Sequence, residues 1–160
     1  MVRADLWNGS AMRRWFPPLE NREGWGSHGS ADEEGMFEVT VEDTFAAGHA
    51  LRGYRGKCEN PHGHNYKVRV TLAGEKLDDI GLLYDFKDLK VVMNDIIDRL
   101  DHQFLNDIEP FQQLNPSAEN LARYFYQTTN SKLRDATDGR VKVKNVTVWE
   151  TDTTTATYFE

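Results

Sequence analysis

Cysteine is almost missing from this chain. Cys58 is the single one in 160 residues, so no disulfide can close within the chain, and its thiol is a core group, a metal ligand or a reactive group. Long apolar runs are missing as well. Nothing approaches the ~18 consecutive apolar residues of a membrane-spanning helix, and the N-terminus lacks the apolar stretch of a secretory signal. A membrane partner is therefore not expected, and the cytoplasm is the expected compartment. Positive charge is in deficit, with 19 Lys and Arg against 26 Asp and Glu and a net charge of −7. That balance argues against the extended basic surface of a nucleic-acid partner, but leaves room for a small anion in a local basic pocket. What remains is ordinary: 39% hydrophobic and 28% charged residues describe a soluble globular chain, of a length that suits one domain.

Residues 1–35 show neither helical nor strand period and mix Gly, Pro, Ser and charges with Trp7, Trp15 and Trp25; they read as a poorly ordered extension. Met36, a candidate natural start, opens a regular pattern and with it the expected domain, residues 36–160. Phe37, Val39 and Val41 alternate with Glu38, Thr40 and Glu42 as in a half-buried strand. A second strand carries Tyr66, Val68, Val70 and Leu72 on one face, and Gly74 closes it. From Asp85, a candidate N-cap, Leu89, Val92, Met93, Ile96, Ile97 and Leu100 fall at helical spacing, and the end of this helix delivers Asp101 and His102. Asn115-Pro116 reads as N-cap and first residue of a second helix with the stripe Ala118, Leu121, Ala122, Phe125 and Tyr126. Gly139 turns the chain into a third strand whose parity changes at Lys144-Asn145, which predicts a bulge. A fourth strand is expected around residues 156–159. Strand pairs flanking two helices indicate an α+β domain with an antiparallel sheet.

Three of the five histidines, His49, His62 and His64, lie within 16 residues of sequence. Two residues apart at the start of a strand, His62 and His64 point to the same face, as two ligands of one ion must. Three imidazoles leave the fourth position of a tetrahedral zinc open for water or substrate, which is the pattern of a catalytic site. Cys58, four residues before His62, is then a base whose thiolate the cation favours, or a fourth ligand of a closed structural site. Asp101 beside His102 is either a helix-end pair favoured by the helix dipole or an oriented proton shuttle. Glu150 shares parity with Val146 and Val148 and needs a partner on that apolar face: a salt bridge, or the two parallel N–H donors of a pterin or guanine edge. Glu119 fits the first turn of the second helix. Arg52, Arg55 and Lys57, on the loop before Cys58, are candidates to meet an anionic group or are a solvated loop face.

Taken in order, the segments Phe45-Ala46-Ala47-Gly48-His49, Cys58 to Tyr66 with its His-Gly-His, Leu100-Asp101-His102, Asn115 to Asn120 and Trp149-Glu150-Thr151 resemble the 6-pyruvoyltetrahydropterin synthase and 6-carboxytetrahydropterin synthase family. The likeness runs from about Met36 to the C-terminus. It implies the tunnelling fold, with two helices on one face of the sheet and subunits assembled into a barrel, hence a homo-oligomer with active sites between subunits. It also implies zinc held by His49, His62 and His64, Cys58 with Asp101 and His102 as catalytic groups, Glu150 as pterin anchor and Glu119 as a further substrate-site glutamate. The four-residue step from Cys58 to His62 resembles the bacterial carboxy-pterin branch of queuosine synthesis, whereas animal-type pyruvoyl synthases have a longer interval. Pro61 stands where that branch more often carries Leu or Arg. The resemblance thus implies conversion of 7,8-dihydroneopterin triphosphate to 6-carboxy-5,6,7,8-tetrahydropterin, with loss of triphosphate and acetaldehyde. The alternatives are a pyruvoyl synthase and a non-catalytic pterin-binding module that keeps its metal.

Overall fold

A computed structural model describes residues 35–160; the expected extension over residues 1–35 lies, save Gly35, outside the described residues. The elements follow in the order β1 (Phe37–His49), β2 (His62–Gly74), α1 (Phe86–Ile97), α2 (Ala118–Thr137), β3 (Lys142–Thr151) and β4 (Thr154–Tyr158). They build a four-stranded antiparallel sheet in the order β1-β2-β3-β4. Both helices pack on one face: α1 on β1, α2 on β3 and β4.

Period-two alternation puts the β-branched and aromatic residues of the central strands on that covered face. Tyr66, Val68, Val70, Leu72, Val146 and Val148 are all fully buried, and each such side chain contributes roughly 1.5–3 kcal/mol relative to exposure. The helices answer with Leu89, Met93, Ile96, Leu121, Ala122 and Phe125. The opposite face is polar, with Glu42 paired to Arg69, and Lys67 lying over the Trp149 ring at 4.0 Å.

The expected bulge is present: Thr71 pairs with Asn145 and Leu72 with Val143, which leaves Lys144 as the extra residue. Asp85 caps α1 by accepting from the Lys87 N–H at 2.7 Å. Three expectations need correction. α1 stops at Ile97, so Asp101 and His102 stand in turns beyond it, and the helix dipole gives no reason for a charge on His102. α2 is capped by Ser117, whose Oγ accepts from the Asn120 N–H; Asn115-Pro116 lies before the cap because the Asn115 side chain is bonded to Arg52 instead. β4 begins at Thr154, two residues earlier than Ala156, since its pairing with β3 continues past the bulge at Trp149 to Thr151.

Candidate active site

The ladder of β1 and β2 ends with His49 opposite His62, and Ala47 opposite His64. Directly opposed residues of an antiparallel pair share a face, as do residues two apart on one strand. All three imidazoles therefore meet on one side, with their donor atoms within 4.8 Å of one another. His49 is fully buried. Its Nδ1 lies 2.7 Å from the Pro116 carbonyl, and Nδ1 of His62 lies 2.8 Å from the Asn60 carbonyl. A carbonyl only accepts, so each ring carries a proton on Nδ1 and turns Nε2, the nitrogen left for a metal, inward.

Those two Nε2 atoms are 3.1 Å apart, and the buried Nε2 of His64 has no hydrogen-bond partner. Burial, the largest cause, and the neighbouring imidazoles hold the His49 pKa below the usual 6.5, so a bridging imidazolium proton is disfavoured. Three converging imidazole nitrogens, one of them in a ring held neutral by burial, fit a divalent cation, for which neutral imidazole is a preferred donor. Glu150 closes one side: its Oε1 is 3.5 Å from His49 Nε2 and 3.8 Å from His64 Nε2. It follows Trp149, the partner of Lys67, so it reaches the face of Tyr66, as its parity predicts. Tyr66 itself is fully buried, its phenol is pushed upward by burial and by the Glu150 charge, and its hydroxyl has no partner.

Asp101 is fixed from two sides. It accepts from the Ala46 N–H at 2.8 Å and pairs with Nδ1 of His102 at 2.7 Å; these bonds, the first above all, hold its carboxyl below the ordinary range. His102 takes a left-handed conformation with φ 57° and projects a mostly exposed ring. With His64, Gln103 and the Ala46–Gly48 edge it lines a shallow cleft of about 410 Å³.

Cys58 sits half-buried as a free thiol in a short 3-10 turn, Lys57–Glu59. It is not one of the clustered donors, so the closed site of three histidines and one cysteine is not what this structure forms. Glu119 is exposed in the first turn of α2, with no hydrogen bond or ion pair to the histidines among the described residues. Arg52 is engaged through one nitrogen, its Nη2 donating to the Phe111 and Leu114 carbonyls at 2.7 and 2.6 Å. Arg55 and Lys57 are exposed. The carbonyls of Asn60 and Pro116, which set the imidazole tautomers, were not legible as site groups, since any residue supplies a carbonyl.

The sequence model of a family described as "6-pyruvoyl tetrahydropterin synthase" matches residues 38–160. The 6-carboxy-5,6,7,8-tetrahydropterin synthase of Haemophilus influenzae is 31% identical, covering 78% of this chain and 100% of its own length. The protein of the same name from Aquifex aeolicus is 32% identical over 78% of this chain and 98% of its own. The solved 6-pyruvoyl tetrahydropterin synthase of Caenorhabditis elegans superposes with a TM-score of 0.70 at 30% identity, covering 79% of this chain and 96% of that one.

Proposed function

Because the chain belongs to the 6-pyruvoyl tetrahydropterin synthase family, we propose that it is a zinc-dependent lyase of residues 36–160 that converts 7,8-dihydroneopterin triphosphate to 6-carboxy-5,6,7,8-tetrahydropterin. Acetaldehyde and triphosphate are released, and the product feeds queuosine synthesis. The observation that carries the reading is the set of three inward Nε2 atoms with a free thiol four residues upstream. The names of the two bacterial relatives support the carboxy product.

Zinc on His49, His62 and His64, when bound, supplies positive charge that polarises side-chain oxygens and favours a neighbouring thiolate. Cys58 takes the proton from the carbon beside those oxygens. His102, held by Asp101 through the 2.7 Å bond, exchanges a second proton at its exposed nitrogen. Glu150 accepts two N–H donors from the pterin edge and so fixes which carbon meets these groups. Arg55 and Lys57 meet the triphosphate, and Glu119 contributes at the rim of the substrate site. The active protein is a cytoplasmic homo-oligomer with sites between subunits. Consistent with this, β4 and the first half of β1 leave the two edges of the sheet without a strand partner among the described residues, edges on which a second copy can pair.

The C. elegans structure, by its name a pyruvoyl synthase, favours the second reading: the same zinc and thiol, with elimination of triphosphate and no acetaldehyde. Incubation with 7,8-dihydroneopterin triphosphate, with and without a chelator, separates the two by product mass. Carboxy-pterin and acetaldehyde in the absence of chelator support the first reading. 6-Pyruvoyltetrahydropterin supports the second, and bound pterin without turnover points to a binding module.

A further inference from the structure

The outer edge of β1 is covered near the site by chain that forms no strand. In extended chain, alternate residues turn their N–H and C=O toward the same edge. Residues 46 and 48 of β1 turn theirs away from β2, and these two and residues 50 and 52 in the chain just beyond the strand each find a partner in residues 101–115. Ala46 donates to Asp101 Oδ1 at 2.8 Å and accepts from the His102 N–H at 2.6 Å, and Gly48 donates to the Gln103 carbonyl at 2.9 Å.

At the next two positions the partner is a side-chain amide. Ala50 donates to Asn106 Oδ1 and accepts from Asn106 Nδ2, both at 2.8 Å. Arg52 donates to Asn115 Oδ1 and accepts from Asn115 Nδ2, both at 2.9 Å. A primary amide offers one acceptor and two donors at nearly the spacing of a peptide group, so two asparagines continue the ladder for two more steps where no strand is at hand.

Both site elements hang on these clasps. Pro116, the residue after Asn115, presents the carbonyl that holds Nδ1 of His49, and the Asn115 carbonyl is itself held by Asn120 Nδ2 at 2.9 Å. Leu51, between the two clasped residues, donates its N–H to the Cys58 carbonyl at 2.9 Å. We propose that Asn106 and Asn115 are positioning residues of the site: Asn115 acts through Pro116 on the metal-binding tautomer of His49, and the two together act through Leu51 on where the Cys58 thiol stands. This rests on the roles assigned above to the histidines and the thiol, but its test does not use turnover.

The test uses the full chain and the variants Asn115→Ala, Asn115→Asp and Asn106→Ala. Three quantities are read: zinc affinity by competition with a chelator, the rate of iodoacetamide alkylation in the metal-free protein, and the melting temperature. Cys58 is the single cysteine, so total mass reports its alkylation. Asn115→Ala is expected to weaken zinc binding by about tenfold, as loss of a group that orients a ligand does, and to speed alkylation severalfold. Asn106→Ala is expected to speed alkylation with a smaller effect on zinc. Asn115→Asp keeps the acceptor and loses the donor, so it falls between Asn115→Ala and the wild type, and it decides the matter if the alanine variant does not fold. Variants that melt lower yet bind zinc and alkylate like the wild type overturn the proposal and leave a clasp that only stabilises. A wild type that binds zinc but turns over no pterin would refute the functional reading alone.

Discussion

The two ends of the β1–β2 ladder are made from the same pairing and hold very different things. Where Phe37 faces Gly74, the sheet borders a cavity of about 830 Å³ lined in part by Lys76, Arg140, Lys142 and Lys144. Lys144 is neutralised by Glu38 and Arg140 is tied to the Lys76 carbonyl, and no cluster of metal-binding donors forms there among the described residues. Where His49 faces His62, the neighbouring cleft is about half that size, yet buried nitrogens converge and backbone carbonyls fix two of the rings. Concavity alone does not mark a site; convergent donors with fixed orientation do.

His62→Ala should separate the two ends most sharply. Metal content falls from about one ion per chain to background, and turnover falls by more than ~100-fold, beyond the range seen for groups that merely orient a ligand; elemental analysis beside a product assay checks both. Glu150→Gln keeps the shape and removes the charge proposed to meet the pterin. KM is expected to rise by about tenfold, near the low end for a hydrogen bond to a charged group, with metal content unchanged; lost metal would make Glu150 a ligand. The pH dependence is smaller. The His49 pKa is lowered on folding from 6.5, so below that value the unfolded chain binds the extra proton first, and the stability His49 contributes is present above pH 6.5 and lost as pH falls. Metal-free protein should therefore melt lower at pH 5.5 than at pH 7.5, and equal melting would show that the ring is not held neutral. Smallest is Lys142→Ala at the other end, with stability changed by no more than ~0.5 kcal/mol and turnover unaltered; lost turnover would break the comparison.

The legible parts of the molecule are those with a period. The alternation of Tyr66, Val68, Val70 and Leu72 marks β2 and its buried face, and the parity change at Lys144-Asn145 marks the bulge. His62 and His64 were legible because a spacing of two on a strand is a statement about geometry. Asn115 misled because a side-chain amide serves a helix cap and a strand edge equally well, and only the position of Arg52 decides between them. Nothing local to Arg52 shows that two carbonyls, 59 and 62 residues away in sequence, accept from its Nη2. Asn106 gave no signal at all. Its partner Ala50 is brought to it by the fold, 56 residues distant.

The proposed function gives the metal to three histidines and the proton to the thiol four residues before His62. Cys58→Ala tests it most directly, with zinc content and acetaldehyde release measured on the same preparation. Zinc retained at the wild-type level with no acetaldehyde formed is expected. Normal acetaldehyde release, or loss of the zinc, would contradict it.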